Sequence, residues 1–447
     1  MPDLSDIADR VAGWARDGEQ VEAYVSRSRN TEIKVFDGGI ESLSQADSEG
    51  IGIRIIAGSR QGFAYAGSFD EAVIAETLAD ARDNATFATD DDCNGLASAD
   101  GVLPVALDLW RDELASFPPD QKVELALDLE RRVKAGDPRI RAIESTAWTD
   151  NSMESAIATS TGIRASSRAT ACYAYSVAIA GAGDDTQTGF GVTVGRQPSD
   201  LDVDECVRDA IDKSTRLLGA TKPASAKLTV VLDRDVTSTL LSILASTLNG
   251  ESVSKGRSLF ANRLGEQVAA KGITLVDDPT NPEALGSAPY DAEGLASRRN
   301  GLIEDGELKQ FVYNTYAARR AATTSTASAV RAGFKGGPGV GCRAVSLVPG
   351  DLSLEEILAK IGDGFLVQSM SGIHSGVNPI SGDFSVGAEG MMIRGGAMAE
   401  PVREVTIAST LQRMLLDVVA VGNDLKWGFG SSAGVTLAID DVSMGGA

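Results

Sequence analysis

Histidine is nearly absent from this chain of 447 residues, which contains only His374. Zinc enzymes usually hold the metal through at least two histidines, or cysteines in their place, at short spacing. The cysteines cannot replace them, because Cys93, Cys172, Cys206 and Cys342 lie far apart and form no C-x-x-C pair. We therefore expect this chain to bind no zinc. Carboxylates alone could hold magnesium or calcium, but no spacing of Asp and Glu indicates such a site, and we expect no cofactor. Scattered thiols of this kind are typical of a reduced, cytoplasmic protein.

Basic residues and long apolar runs are also scarce. The chain has 41 Lys and Arg against 63 Asp and Glu, which gives a formal net charge of −22. The negative electrostatic potential of such a chain repels phosphate backbones and anionic lipids, so we expect no nucleic-acid partner and no membrane partner. The longest apolar runs, such as LLSILA and LLDVVAVG, fall far short of the roughly 20 residues that span a membrane. Acidic residues in MPDLSDIADRVAGWARDG stand where a signal peptide needs positive charge, which again favours the cytoplasm.

Proline is scarce too, with 14 residues against 48 glycines, and this ratio indicates tight turns rather than disordered linkers. The length of the chain predicts two or three domains. Pro223 and the small residues after it mark the boundary that we predict, which divides the chain into domains 1–222 and 223–447. We expect an α+β fold, with antiparallel strand meanders and packed helices in the first domain. The second domain is predicted to be mainly antiparallel β with a few helices.

The first domain shows one plan twice, in which strands are followed by a helix. A helix with Ser5 as its N-cap comes first, and PPDQKVELALDLERRVKAGD precedes a second set of strands between 139 and 195. The helices after the two sets of strands are SFDEAVIAETLADARDNA and DVDECVRDAIDKSTRLLG. The first set consists of five short strands, VEAYVSRS, TEIKVFDG, GIESLSQADSEG, IGIRIIAG and RQGFAYAGS. The two units share too little identity to count as a sequence repeat.

The second domain begins with a buried strand, LTVVLD, and a helix that Asp235 caps and that runs to about Leu248. Two further helices are predicted in SLEEILAKIG and STLQRMLLDVVAVG. EDG and RGG stand where hairpin turns are expected. The predicted strands are ITLVDD, GLIEDGELKQFVYN, AVSLVPG, FLVQSMSG, DFSVGAEGMMIRGG and VTLAIDDVSM.

Two serine motifs match hydrolase patterns only in part. GSSAG is centred on Ser432 as in G-x-S-x-G, but a strand follows it where a helix is required, and His374 precedes it. Ser252 and Lys255 fit S-x-x-K, yet they follow a helix-ending glycine and no K-T-G occurs in the chain. We interpret both as chance matches. His374, a lone histidine in a glycine-rich loop, is interpreted as a hydrogen-bonding or packing residue.

A second glycine-rich segment, GFKGGPGVG at 333–341, could be mistaken for a phosphate-binding loop. It lacks the G-K-[ST] ending, and no helical pattern follows it. We interpret it as a flexible loop that orders on meeting a partner or a substrate, because long glycine-rich loops often carry function. Gly336 and Gly337 are therefore candidate residues at a substrate chamber or a protein interface.

Several segments, in order, resemble the TldD/PmbA family. The strongest is SGVNPISGDFSVGAEGMMIRGGAMAEPVREVTI at 375–407, which is similar to the family's V-N-P-x-[ST]-G-D-F segment and the EPVR strand after it. The stretch DPTNPEALGSAPYDAEGLASRRNGLIEDGELKQFVYNTYAARR at 278–320 and FDGGIESLSQADSEGIGIRII near the N-terminus also resemble it. The likeness covers nearly the whole chain.

The resemblance implies a particular branch of this family. TldD-type chains carry a zinc-binding H-E-x-x-x-H helix, whereas PmbA chains, also called TldE, lack it and pair with TldD. Aligning LLSILASTLNGES with that helix places Leu241 and Ser246 where the two histidines would stand, and Ser242 where the general-base glutamate would stand. None of these is a usual zinc ligand, so the chain resembles the PmbA/TldE branch, and no catalytic or metal residue is carried over.

This branch implies a non-catalytic subunit of a heterodimeric zinc metallopeptidase that degrades or matures unfolded peptides. The expected partners are a TldD-type chain, which would hold the zinc, and unfolded peptide substrates, with a homodimer in the absence of the TldD-type chain. Asn378 and Asp383 join His374, Gly336 and Gly337 as residues expected at the substrate chamber or the interface. His374, Asn378 and Asp383 are expected to shape a strand-turn that both branches share.

Two alternatives stay open. The first is a regulatory binding protein, related to the family's association with DNA gyrase control and with antitoxins, that has no role in peptide cleavage. The acidic charge argues against direct DNA contact but not against a basic protein partner. The second is a metal-independent hydrolase centred on Ser432 or His374.

Overall fold

The computed structural model describes residues 3–447 and confirms the predicted α+β class. The N-terminal part builds one six-stranded antiparallel sheet with helices packed on it. Its elements are α1 (Leu4–Ala12), β1 (Glu19–Phe36), β2 (Gly39–Ala57), β3 (Arg60–Ala66), α2 (Glu71–Phe87), α3 (Asp112–Ala115), α4 (Pro119–Gly136), β4 (Ile140–Thr159), β5 (Arg164–Ala182), β6 (Asp185–Gly195) and α5 (Val203–Thr215).

The strands of this sheet follow the order β3-β2-β1-β4-β5-β6. Each half consists of a long hairpin, a shorter third strand and a helix that packs on them, namely β1-β2-β3-α2 and β4-β5-β6-α5. The halves meet where β1 and β4 pair antiparallel, so an approximate two-fold rotation relates them. The plan that the sequence shows twice is therefore two halves of one sheet.

The predicted five short strands are wrong in number, because they form three strands, two of them long. VEAYVSRS and TEIKVFDG are both part of β1, and the polar residues between them stay extended. Asn30, for example, lies opposite Ala46 of β2 and Asn151 of β4. Strand pairing on both sides holds this stretch straight although it has little apolar character.

The third strand of each half covers only part of its neighbour. β3 pairs with β2 from Ile51 to Ala57, so the edge of β2 from Gly39 to Glu49 is unpaired and exposed. β6 pairs with β5 from Cys172 to Ala182, which leaves the edge of β5 without a partner strand over 164–171. On this edge the Thr170 N–H donates to the Leu109 carbonyl oxygen, in the loop before α3, and the Thr170 carbonyl oxygen accepts from Arg196 at 3.3 Å.

Alternating side chains direct the two faces of the sheet to different partners. On β1, Val21 and Val25 are buried beneath α1 and α2, and Ile33 is buried against α4. Burying an aliphatic side chain of this size contributes about 1.5–3 kcal/mol to folding. Glu22 and Tyr24 lie on the opposite face and are also buried. That second face is covered by the C-terminal part of the chain.

The C-terminal part is rich in short strands. Its elements are β7 (Ala226–Leu232), α6 (Arg234–Thr247), α7 (Gly250–Ser254), β8 (Leu275–Asp277), β9 (Asn300–Glu304), β10 (Glu307–Leu308), α8 (Thr315–Arg320), β11 (Ala329–Val330), β12 (Gly339–Val340), β13 (Val345–Leu347), α9 (Leu354–Ile361), β14 (Gly364–Ser371), α10 (Ile373–Gly376), β15 (Asp383–Arg394), β16 (Ala397–Thr410), α11 (Leu411–Leu416), β17 (Val418–Val421), β18 (Lys426–Trp427), β19 (Ala433–Gly434) and β20 (Leu437–Gly445).

Five of these strands form a closed ring of hydrogen-bonded neighbours. The order is β16-β15-β14-β7-β20, and β20 also pairs with β16. Leu232 and Val367 belong to the large core that includes α6, whereas Val231 and Leu366 pack with Ile357 of α9. The ring therefore buries residues on both faces and fixes the position of α6.

One predicted helix is partly wrong. In STLQRMLLDVVAVG, α11 ends at Leu416, and Val418–Val421 form β17, which pairs with β20. Three of these four residues are β-branched valines, which favour the extended state when a partner strand is available. Within residues 3–447, no helix has both the length and the apolar character that crossing a bilayer requires.

Candidate functional site

Helix α6 is the segment that the resemblance aligns with the family's zinc motif. Leu241 is 1% exposed and belongs to the large core. The Ser242 hydroxyl donates to the carbonyl oxygen of Ser238 at 3.0 Å and to the hydroxyl of Ser432 at 3.1 Å. The Ser246 hydroxyl donates to a carbonyl oxygen of its own helix at 2.7 Å. A buried aliphatic side chain and two hydroxyls with local partners do not fit zinc.

The geometry of α6 also separates the aligned positions. The helix is a regular α-helix from Arg234 to Thr247. Each residue turns the helix by about 100°, so Leu241 and Ser246 point roughly 140° apart. Residues at this spacing share a face only where a wider turn interrupts the helix. Among residues 3–447, no group of three or more His, Cys, Asp or Glu side chains is arranged to hold a metal.

Ser432 lies before β19, in a segment without the strand-to-helix turn of a nucleophile elbow. It is buried, its hydroxyl accepts from Ser242, and its carbonyl oxygen accepts from Ser238 at 2.9 Å. No hydrogen bond joins it to His374, which is exposed on the short helix α10. The two residues of the hydrolase alternative are thus not arranged as nucleophile and base.

Ser252 and Lys255 lie on or next to α7. The ammonium group of Lys255 pairs with Glu251 at 2.5 Å, and the backbone N–H of Ser252 donates to the side chain of Asn249 at 3.2 Å. No hydrogen bond joins the Ser252 hydroxyl to Lys255, so this S-x-x-K match also lacks the contact that the chemistry needs.

The loop that follows His374 is a compact turn. The Asn378 side chain accepts from the N–H groups of Ile380 at 2.9 Å and Ser381 at 3.2 Å. The Asp383 carboxylate accepts from the Ser381 hydroxyl at 2.6 Å, and the Asn378 N–H donates to the Asp383 carbonyl oxygen at 2.9 Å. Asn378 and Asp383 therefore hold the turn into β15, while His374 projects from a neighbouring surface.

The glycine-rich loop 333–341 docks on the N-terminal sheet through Phe334. The phenyl ring is buried beside Tyr24, and a Cβ atom on Gly50 would lie 2.5 Å from it. β2 therefore needs glycine where the loop approaches. Gly336 and Gly337 have open space around them, and the Gly336 carbonyl oxygen accepts from Arg331 at 3.2 Å.

A buried cluster of two glutamates and two arginines, here the Glu–Arg cluster, joins the sheet to the C-terminal part. Glu22 accepts from Arg54 at 3.1 Å and from Arg331 at 2.6 Å, and Glu293 lies 3.5 Å from Arg54. None of the four side chains is more than 4% exposed. Burial raises the pKa of Glu22, but the two guanidinium groups outweigh it and hold the pKa below its ordinary value. The four charges therefore balance inside the protein.

Next to this cluster lies the central cleft, between the sheet and loops of the C-terminal part. It has two adjoining lobes of about 270 and 390 Å³, and Asn151, Ala171, Leu285 and Arg343 line both. The guanidinium of half-buried Arg343 donates to the carbonyl oxygen of Tyr290 at 3.1 Å. It forms no ion pair with any carboxylate of residues 3–447. Burial lowers its pKa.

Asp291 is the only carboxylate that lines the 270 Å³ lobe. It accepts from the N–H groups of Glu293 at 2.9 Å, Leu295 at 3.0 Å and Ala329 at 3.1 Å. Burial, and then the negative charge of Glu293, raises the pKa of Asp291 to about 7. A carboxyl with this pKa is partly protonated near neutral pH.

Sequence reasoning missed the Glu–Arg cluster and the cleft. One signal was present, since Glu22 and Arg54 are charged residues inside strands that otherwise bury aliphatic side chains. Arg343 and Asp291 carried no such signal, because they lie in loops whose positions depend on the whole fold.

Family models match three successive segments of this chain. They describe PmbA/TldA metallopeptidase domain 1 at residues 21–85, the central domain at 112–218 and the C-terminal domain at 225–446. The chain belongs to the PmbA/TldD family. The resemblance seen in the sequence is thereby confirmed.

Relatives within the PmbA/TldD family extend over almost the whole chain. Metalloprotease PmbA of Escherichia coli O157:H7 is 28% identical over 93% of this chain and 90% of its own length. A metalloprotease of Methanothermobacter thermautotrophicus is 26% identical over 98% of this chain and 94% of its own length.

Two solved structures share this architecture. TldE from Thermococcus kodakarensis is 25% identical, has a TM-score of 0.89, and matches 96% of this chain and 97% of its own. A putative modulator of a DNA gyrase from Thermotoga maritima matches with a TM-score of 0.91 over 99% of this chain and 100% of its own, at 22% identity. The latter likeness concerns the fold alone.

Proposed function

We propose that this PmbA/TldD chain is the non-catalytic, TldE-like subunit of a heterodimeric zinc peptidase acting in the cytoplasm. Its TldD-type partner would supply the zinc and the general base. The observation that carries the proposal is that α6 has no zinc ligand at the aligned positions. Leu241 is buried in the core, and the hydroxyls of Ser242 and Ser246 donate to carbonyl oxygens of their own helix. The match to TldE supports the same branch.

The role of such a subunit is to complete the substrate chamber and to hold its partner in the active arrangement. Unfolded peptides are the proposed substrates, because an extended chain can bind along a free strand edge with little demand on its sequence. Without the partner, we expect two copies of this chain to associate through the same surface.

The test compares cleavage by this chain, by the TldD-type chain of the same host, and by their mixture. The probe is an unstructured fluorogenic peptide, with and without 1,10-phenanthroline as zinc chelator. We expect cleavage by the mixture only, its loss with the chelator, and a zinc content near zero for this chain alone. Chelator-resistant cleavage by this chain alone would overturn the proposal in favour of a metal-independent hydrolase. Failure of the mixture to cleave would favour a regulatory binding protein.

A further inference from the structure

One lobe of the central cleft is rich in arginine in a strongly acidic protein. Its 270 Å³ lobe is lined by four arginines and by one carboxylate, Asp291, whereas the whole chain has a net charge of −22. The arginines are Arg168, Arg196, Arg331 and Arg343. An excess of arginine at one place in an acidic chain indicates a local demand for negative charge.

Three of these arginines have an ion pair, several carbonyl partners or an aromatic contact. Arg331 pairs with Glu22 at 2.6 Å. Arg196 donates to the carbonyl oxygens of Ala284 at 2.7 Å and Pro282 at 3.3 Å. Arg168 is exposed and lies over the ring of Trp110, with 5.2 Å between its guanidinium carbon and the ring centroid.

Arg343 differs from Arg196 in the number of its partners, because its guanidinium donates to a single carbonyl oxygen, whereas that of Arg196 donates to three. The charges of Asp291 and Asp277 act on Arg343, but neither carboxylate forms an ion pair with it. Arg343 lines both lobes of the cleft and is half-buried. A guanidinium removed from water without an ion pair is costly, and a carboxylate that enters the cleft would offset that cost with paired hydrogen bonds. Asp291 opposes such a ligand less than an ordinary aspartate would, since its raised pKa leaves it partly uncharged near pH 7.

The wall of the cleft offers backbone groups as well. Residues 165–171 of β5 line the 270 Å³ lobe, and this part of β5 lacks a partner strand on its outer edge. Both backbone groups of Thr170 are bonded, to Leu109 and to Arg196, so the free part of the edge is 164–169. A free edge of this kind can hydrogen-bond an extended peptide. Arg343 and the free edge of β5 therefore line the same lobe of the cleft.

We propose that the central cleft binds extended peptides, with Arg343 pairing to a carboxylate of the peptide and the free edge of β5 pairing to its backbone. This rests on the proposed function for the peptide nature of the ligand, and it gives the non-catalytic chain a binding site of its own. The carboxylate is either the peptide's C-terminus or an acidic side chain, since both present the same group to a guanidinium.

The test measures fluorescence anisotropy of labelled octapeptides with this chain alone. One peptide contains Ala, Ser and Val and ends in a free carboxylate, a second is amidated at its C-terminus, and a third is amidated but contains one Glu. We expect the Arg343→Gln variant to weaken binding of the carboxylate-bearing peptides at least tenfold. The control is Arg131→Gln, which changes an exposed arginine of α4 and should leave the affinity unchanged. A preference for the first or the third peptide identifies the source of the carboxylate.

Two further binding measurements test the proposal if Arg343→Gln disturbs the fold. Arg343→Lys retains the charge but not the planar pair of donors, so we expect intermediate affinity. A free-carboxylate peptide with N-methyl groups at alternate residues cannot complete backbone pairing, and we expect it to bind at least tenfold more weakly. Equal binding of the free-carboxylate and both amidated peptides, or wild-type affinity in Arg343→Gln, would overturn the proposal.

The outcomes also separate this site from the proposed function. Carboxylate-dependent binding by this chain, in a mixture that cleaves nothing, would support the cleft and refute the heterodimer. The mixture of subunits could fail to cleave, or could cleave despite the chelator. In either case the binding measurement stays valid, because it uses this chain alone. Cleavage by the mixture with no peptide binding to this chain would refute the cleft and retain the heterodimer.

Discussion

At the scale of single residues, side chains that look reactive in the sequence have structural partners in the fold. Ser432 and Ser242 bond to each other at 3.1 Å, and Asn378 closes a turn. Burial raises the pKa of the Cys206 thiol to about 12, so this thiol is not a nucleophile near neutral pH. The charged residues Arg343 and Asp291, which line the central cleft, carry no local signal in the sequence.

The first residue-scale prediction concerns Ser432→Ala and His374→Ala. We expect peptide cleavage by the mixture of subunits to stay within about twofold of wild type, because neither side chain contacts the other. Ser432→Ala should lower the free energy of unfolding by about 0.5–1.5 kcal/mol, the usual worth of one hydrogen bond. A kcat reduced a hundredfold in either variant, with the fold intact by circular dichroism, would restore the hydrolase alternative.

The second residue-scale prediction concerns pH. The pKa of Asp291 is raised to about 7 in the folded protein, whereas the ordinary pKa of an aspartate is about 4. Protonation of Asp291 therefore contributes fully to the stability of the fold below about pH 4, and this contribution is lost as the pH rises through about 7. We expect the Tm of the wild type to fall between pH 5 and pH 8 by more than the Tm of Asp291→Asn.

Only the dependence on pH is diagnostic in this comparison. Asp291→Asn also changes a side chain that accepts three backbone N–H bonds, so its absolute Tm is expected to be lower at every pH. Parallel Tm curves for the two proteins would show that Asp291 does not titrate in this range.

At the scale of elements, short-range patterns predicted most helices and turns correctly but not their limits. The EDG turn is present as predicted, with Asp305 at φ 48° and Gly306 at φ 80° between β9 and β10. This is the backbone that a two-residue hairpin turn requires. Local turn chemistry decides such features, so the sequence reveals them.

The predicted N-caps are wrong by two residues in two helices. Asp3, not Ser5, caps α1, and Asp233, not Asp235, caps α6. In both helices, two polar residues that can act as N-caps lie two positions apart. The upstream residue is the N-cap, because the first turn of the helix includes the downstream one. Strand length could not be predicted either, because one of the two strands that pair with β1, namely β4, is far away in sequence.

The element-scale prediction concerns the packing of α5 on β6. A Cβ atom on Gly191 would lie 2.0 Å from the carbonyl oxygen of Cys206 in α5, so α5 must move in Gly191→Ala. We expect a loss of about 1–3 kcal/mol in the free energy of unfolding. Urea unfolding measures the loss, and faster amide exchange in α5 should localise it.

Gly337→Ala is the matched control for this substitution. A Cβ atom at Gly337 would meet nothing within 4 Å. We expect a change of no more than about 1 kcal/mol there. Equal stability of the two variants would mean that α5 does not depend on the glycine of β6.

At the scale of the whole molecule, the Glu–Arg cluster ties together segments that are remote in sequence. Glu22 and Arg331, 309 residues apart, bond within a buried site. Such a contact is invisible to pattern reading, because nothing near either residue specifies the other. The family resemblance supplied the overall architecture, but only the folded chain shows which charges meet.

The prediction at this scale is that Glu22→Gln destabilises the whole protein. It leaves Arg54 and Arg331 without their shared buried carboxylate, and breaking a buried pair in this way costs about 3–5 kcal/mol. Glu400→Gln removes the exposed pair between Arg394 and Glu400, for which we expect at most about 1 kcal/mol. Denaturant unfolding compares the two, and similar losses would show that the cluster does not hold the two parts of the chain together.

The exposed edge of β2 from Gly39 to Glu49 has a consequence for solubility. An uncovered strand edge of eleven residues is a template on which copies of a protein can aggregate. Glu41 and Glu49 are exposed on this edge, so edge-to-edge pairing of two copies would bring like charges within a Debye length of about 10 Å at 0.1 M salt. Aggregation of this protein should therefore increase with ionic strength, because salt weakens the repulsion that keeps these edges apart.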